Sequence, residues 1–452
     1  MSTKDRKEAK HNELGLKYRV EDKPGFGTSI VLGFQNILTA FSGIIAVPLI
    51  IAGISGASVA DTAYMVSAAL LASGIASIIQ SRGFGPKSLR AGVGLPTIMG
   101  TDFGFVPPAN TVINTMGGGL PAYFGASILG AILEYILSFF VKPLMKIFTP
   151  IVTGTVITLM GMSMMPVAFD WIGGGSGNPN YGDPKLILVA LIVFLVILIL
   201  NRYAKGLLST ASVMIGIAVG YLISIPLGLV DFSQVASAKW IQLPEIAHFG
   251  IDFNIKFVVP FIAGYLVTVI ETVGVMETLG EVTGVELSGN EIAAGVRGDA
   301  LSSIVGPLVG SGPAQSFSQN VGLIPLTKCA SRFVAIVSGV LLILMSLFPK
   351  FSTIISIMPQ CVLGGAGVIM FGTVAVSGIK TLSKVKFTNR NLLIIASAMG
   401  IGLGVTFRPD IVAKLPGFLG SLFGSGLSAG TIVALVLSAI LKEEENAPEV
   451  DL

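Results

Sequence analysis

The stretch SGPAQSFSQNVGLIPLTK, Ser311–Lys328, cannot run as an uninterrupted helix, because Gly312, Pro313, Gly322 and Pro325 break it. It lies in an otherwise oily chain and carries two adjacent amides, Gln319 and Asn320. Polar side chains and loose backbone groups at membrane depth are costly unless they line a cavity or bind something. The segment therefore points to a ligand site within a bilayer, and so to transport.

The composition fits that setting. Of 452 residues, 52% are apolar and 12% charged, whereas soluble domains carry about 25% charged residues. Two cysteines, Cys329 and Cys361, provide no disulfide framework, and two histidines, His11 and His248, cannot build a histidine metal site. No cofactor is implied, and no nucleophile–base pair or phosphate loop points to an enzyme. The polar N-terminus lacks an apolar h-region, so no cleavable signal peptide is expected. The acidic end, KEEENAPEVDL, reads as a solvated cytoplasmic tail.

A helix crossing the hydrocarbon needs about 20 apolar residues. Runs of that size fall at 29–53, 62–81, 118–141, 148–168, 185–201, 209–230, 257–280, 331–348, 354–378, 391–407 and 416–441. Three shorter Gly/Pro-rich segments, 92–107, 293–310 and 313–328, also read as buried, making fourteen crossings. With both ends inside, Arg82, Lys87, Arg90, Lys142, Lys146, Arg202, Lys205, Lys328, Arg332, Lys380, Lys384, Lys386 and Arg390 fall on the cytoplasmic side. Dropping one crossing would invert every later loop and spoil that bias. The expected protein is an all-α, multi-pass protein of the inner or plasma membrane, in contact with lipid.

Two of the broken segments echo each other. Pro96 precedes Asp102 in PTIMGTD as Pro313 precedes Gln319 in PAQSFSQ. They are the third and tenth crossings, and a separation of seven makes the second half inverted. Paired interrupted segments in inverted repeats mark secondary transporters, with substrate at the midplane.

Several acids lie where lipid would be. Glu271, in GYLVTVIETVGVM, costs ~2.5–3.5 kcal/mol at a helix centre on insertion scales, so it should face the protein interior. There it can exchange a proton or accept from a ligand's N–H groups. Asp299 reads as a partner of nearby Arg297, a structural tie between helices or a proton relay. Asp102, beside a helix break, can serve freed backbone N–H groups or a ligand. Phe103 and Phe105 offer flat faces to a planar ring. Glu134 is an isolated acid with no evident partner, and Glu277 and Glu281 fall near a helix end. Gln319 and Asn320 can satisfy both the C=O and the N–H edges of a heterocycle, which suits a small neutral ring. The glycines of GGAGVIMFG, 364–372, read as tight helix packing.

The stretch QNVGLIPLTK resembles the signature of the nucleobase–ascorbate transporter family, matching at Gln319, Asn320, Gly322, Thr327 and Lys328. QNILTAFSG, GTDFGF and IETVG follow in the family's order, and the likeness covers about residues 29 to 441. The resemblance implies a seven-plus-seven inverted repeat with core and gate domains and short β-strands in the third and tenth segments. Its division would be tail 1–28, core and start of gate 29–168, gate 169–256, core 257–348, gate 349–441 and tail 442–452. It carries substrate contacts onto Glu271, Gln319, Asn320, Asp102, Phe103, Ser318 and Gly43, and proton coupling onto Glu271 and Asp299. It also implies a homodimer, with a purine base and a proton as partners and no nucleic acid.

Departures from the family pattern sharpen this. Gln35-Asn36 stands where Gln-His is frequent, and Val275 where an acid or histidine follows the binding glutamate. In relatives a glutamine at the 319 position goes with purines and a glutamate with uracil. The expectation is therefore a proton-coupled carrier of xanthine, urate, guanine or hypoxanthine. Asp102, in place of the usual neutral residue, suits bases with further N–H donors such as guanine or adenine. A uracil symporter, or an anion carrier or channel on the same architecture, is the alternative.

Overall fold

The structure, a computed structural model, describes residues 14–86, 89–141, 143, 149–175 and 177–441. The outermost parts of both tails, and Lys87, Lys142 and Lys146 of the expected inside charges, lie outside these residues. The long helices are α1 (Phe26–Ser55), α2 (Val59–Arg82), α3 (Gly119–Leu137), α4 (Pro150–Ser163), α5 (Pro184–Tyr203), α6 (Ser212–Ser224), α7 (Val259–Thr283) and α8 (Gly289–Leu308). After a break come α9 (Ser318–Val321), α10 (Leu323–Thr327), α11 (Arg332–Ser346), α12 (Pro349–Ser356), α13 (Gln360–Leu382), α14 (Asn389–Phe407) and α15 (Gly426–Ile440). Their ends follow from local chemistry. Ser58 accepts the Asp61 N–H to start α2, and Ser288 and Glu291 form a capping box for α8. Gly56 and Gly284 take left-handed conformations that stop α1 and α7.

Among the described residues, eight helices are long and apolar enough to cross a membrane, and nine if α11 and α12, bent by 83°, form one span. The apolar helices Ser212–Ser224 and Gly426–Ile440 are shorter. The segment read from sequence as the short, Gly/Pro-rich stretch 293–310 is an unbroken 20-residue helix, α8. Its polar residues, not a break, lower its hydropathy. Pro307 sits in its last turn, where it withholds an N–H from the Ser303 carbonyl but leaves the helix intact up to Leu308.

The Gly/Pro-rich segments 92–107 and 313–328 carry two short strands, β1 (Met99–Thr101) and β2 (Ala314–Ser316). They pair antiparallel, Met99 with Ser316 and Thr101 with Ala314. The Asp102 N–H extends the ladder to the Pro313 carbonyl (3.1 Å), and the Phe317 N–H to that of Ile98 (2.9 Å). Backbone just before β1 and at the start of β2 is satisfied by a helical serine, as buried peptide groups require. Ser81 of α2 accepts from the Thr97 N–H at 3.2 Å and donates to its carbonyl at 3.0 Å. Ser303 of α8 does the same for Ala314, at 3.0 and 3.1 Å. Thr97 follows Pro96 and Ala314 follows Pro313, so the sequence echo has a structural counterpart.

Around this centre the helices pack at glycine contacts. A Cβ on Gly74 of α2 would lie 2.5 Å from the Gly339 carbonyl of α11. One on Gly364 would lie 2.4 Å from the Ile172 nitrogen, so the 364–372 glycines serve close packing. Large apolar side chains such as Leu188, Leu191 and Ile199 of α5 face outward, as a lipid-facing surface requires.

Candidate functional site

Helix α7 organises the centre through one face. Thr268, Glu271 and Thr272 stand at spacings of three and four, so their side chains share that face. The Thr268 hydroxyl donates to Asp102 Oδ2 at 2.6 Å, and the Thr272 hydroxyl donates to Asp299 Oδ2. Between these two fixed points lies Glu271, half-buried, whose carboxylate receives no hydrogen bond among the described residues. One turn on, Gly274 has open space where a side chain would be. α7 packs against β2, α9 and the Phe103–Phe105 turn, so Glu271 is carried beside both broken segments.

α9, which packs against α7, carries the residues of the second broken segment. Ser318 and Gln319 are exposed at the start of α9, although the strand just before them is buried. Gln319 Nε2 lies 3.5 Å from where a Cβ on Gly43 would sit. The Gly43 carbonyl accepts from the Thr101 hydroxyl at 3.0 Å, joining α1 to β1. Phe317 fills the space left by two glycines: a Cβ on Gly43 would fall 2.8 Å from its ring, and one on Gly100 2.1 Å. Phe103 is half-buried and meets Phe371 of α13 edge-on, with centroids 5.4 Å apart.

Three sequence-predicted residues are taken up by the protein itself. Asp102 is 1% exposed, and its second oxygen accepts the Gly104 N–H at 2.7 Å. Both oxygens are therefore bonded within the fold, which favours its role at the freed backbone over direct ligand contact. Asp299 is fully buried. Its other oxygen accepts from Gln80 Nε2 at 2.6 Å and the Ser316 hydroxyl at 2.9 Å, so it ties α2, α7, α8 and β2 together. Its neighbour Arg297 is no ion-pair partner: the guanidinium donates to the Arg90 carbonyl at 2.8 Å and lies over the Phe139 ring. Asn320 turns to α1, donating to the Asn36 carbonyl at 2.9 Å, while its buried Oδ1 has no partner among the described residues. Glu134 of α3 is buried with neither oxygen hydrogen-bonded among the described residues.

Sequence reasoning missed Gln80, Thr268, Thr272 and Phe317. The threonines carried a signal, lying three before and one after Glu271. Gln80 carried none, since it acts on residues distant in sequence.

An acid that receives no hydrogen bond among the described residues, beside two interrupted segments in a bundle of apolar helices, is what a membrane transport protein presents. Residues 27–411 match the profile of the xanthine/uracil Permease family. The chain belongs to this family of permeases, that of the nucleobase–ascorbate transporters. It is 48% identical, over 98% of its length and 97% of the relative's, to a Clostridium perfringens protein named "Putative purine permease". It is 38% identical to the uric acid transporter of Escherichia coli, over 91% of this chain and 86% of that one. With the xanthine permease of Bacillus subtilis it shares 35% identity, over 94% and 97%. The transmembrane domain of a cyanobacterium bicarbonate transporter has a similar fold, with a TM-score of 0.58, 13% identity and coverage of 88% of this chain and 100% of that one.

Proposed function

We propose that the protein is a secondary active transporter that takes up a purine base, of the xanthine, urate, guanine or hypoxanthine class, together with a proton. The observation that carries this reading is the half-buried Glu271, free of donors among the described residues, on α7, which packs against the segment bearing Gln319. A carboxylate can receive ring N–H groups, and the Gln319 amide can both donate and accept at the base's other edge. Gly43 gives the Phe317 ring its place beside Gln319, Phe103 offers a ring face, and Ser318 contributes backbone. Asn320, Asp102 and Asp299 then hold the walls. Glu271 is the proton-coupling acid, with Asp299 as the second.

The architecture we propose is fourteen spans in an inverted seven-plus-seven repeat, with both ends cytoplasmic in a homodimer of the cell membrane. The matched serine bonds of Ser81 and Ser303 support the repeat. The core comprises segments 1–4 and 8–11 and the gate the remainder, and rocking of one against the other exposes the base to each side in turn.

Radiolabelled xanthine uptake tests this reading, with competition by unlabelled bases to rank them. Uptake should collapse with a protonophore, and Glu271→Gln should abolish it while the protein still reaches the membrane. Normal uptake by that variant refutes the role of Glu271. The bicarbonate carrier's fold suggests an anion carrier as a second reading, but an unpaired carboxylate at the centre repels anions. Transport of bicarbonate unaffected by purines would favour that alternative.

A further inference from the structure

Residues Leu14–Asp22 do not trail away from the fold. They run beside the connector Lys328–Arg332, with Tyr18 paired parallel to Cys329. The Lys328 carbonyl accepts the Lys17 and Tyr18 N–H groups at 2.8 and 3.2 Å. The N–H groups of Ala330 and Arg332 return bonds to the carbonyls of Tyr18 (2.8 Å) and Val20 (3.0 Å). Side chains add to the seam: the Ser331 hydroxyl donates to the Asp22 carbonyl at 2.5 Å, and Arg332 pairs with Glu21 at 2.5 Å. Val20 is buried, and with Leu16 it packs in the same apolar cluster as Val321 and Ile324 of α9 and α10, and Val273 and Met276 of α7.

This connector closes the segment that carries Gln319. Lys328 ends α10 in a left-handed conformation, φ 55°, and Arg332 opens α11. A small cavity lined by Asn36, Asn320, Thr327, Cys329 and Ser331 borders the same stretch. Two helices of four and five residues have little stability of their own, and the cavity leaves them space to shift. We propose that the strap Leu14–Asp22 is a positioning element: by stitching Lys328–Arg332 and packing beneath Val321 and Ile324, it fixes Gln319 relative to Glu271. The surface ion pair contributes little, and the backbone seam with Val20 carries the effect. The proposal rests on the base-binding reading for its affinity readout alone.

The test uses the full chain in lipid nanodiscs, with hydrogen–deuterium exchange and radiolabelled xanthine binding. Val20→Asp places a charge in the apolar cluster. It should speed exchange in 318–332 more than in 259–283, whose Val273 and Met276 share the cluster, while leaving 99–105 unchanged, and weaken xanthine binding by about tenfold, equal to about 1.4 kcal/mol. Glu21→Ala should shift binding by less than about threefold, as for an exposed pair. Unchanged exchange in 318–332 overturns the proposal, as does faster exchange with unaltered affinity. Exchange rising evenly over the whole chain also overturns it, since that marks general destabilisation. A wild-type protein that binds no purine sinks the base-carrier reading instead, and the exchange pattern then decides whether the strap holds this segment.

Discussion

Gly43→Ala probes a tight place in the site. An ideal Cβ there would lie 2.8 Å from Phe317 Cζ and 2.9 Å from Cε2. Carbon atoms pack at about 3.5–4.0 Å, so the ring must retreat by roughly 0.7 Å or more. It cannot move toward β1, because it already covers Gly100, where a Cβ would come within 2.1 Å of it. The ring must swing along the chain that leads to Ser318 and Gln319. Overpacking of this kind costs about 1–3 kcal/mol. If that strain is relieved by displacing Gln319, purine binding weakens between about fivefold and about a hundredfold. Equilibrium binding of radiolabelled xanthine to membranes, normalised to the amount of folded protein, measures it. Gly27→Ala, which meets nothing within 4 Å, is the control and should match wild type. Wild-type affinity in Gly43→Ala would refute the link from Gly43 through Phe317 to Gln319.

Other parts of the structure give further outcomes. Gln80→Leu removes a donor to Asp299 and the acceptor of the Val93 N–H (3.0 Å), so stability should fall by about 1–3 kcal/mol per orphaned group. A detergent melting curve like that of wild type would contradict it. Thr268→Val strips one of the two donors from Asp102; it should lower melting temperature and weaken xanthine binding together, and a loss in neither speaks against the Asp102 tie. Gly161→Val, where a Cβ would meet the Ala375 nitrogen at 2.4 Å, should reduce the yield of folded protein yet leave xanthine affinity in the remainder intact. A selective loss of affinity there would show that α4 and α13 shape the site.

Much of this protein can be read from its residues, for definite reasons. The interruption at Ser311–Lys328 is legible because proline and glycine act locally, whereas the strand there is foreseen only through the family resemblance. Glu271 and Asp299 stand out because acids are rare in apolar helices. The charge beside Asp299 misleads: Arg297 turns to Arg90 and Phe139, and the acid's donors come from Gln80, Thr272 and Ser316. Sequence spacing on one helix gives no access to such cross-helix bonds. Asp102 was open between two roles, and the Gly104 N–H and Thr268 tip it toward the structural one. Hydropathy also mistakes the polar α8 for a short segment, because buried polar side chains that satisfy one another resemble a break in an apolar run.

The central claim is that the start of α9 and Glu271 line one compartment shaped for a flat base. Ser318 is exposed there, so a Ser318→Cys substitution, with Cys329 and Cys361 changed to serine, offers a thiol at the opening. Its rate of maleimide labelling in membranes should fall when xanthine or another bound purine is added, and should not respond to bicarbonate or sulfate. Labelling that ignores every purine, or slows only with the anions, contradicts the account.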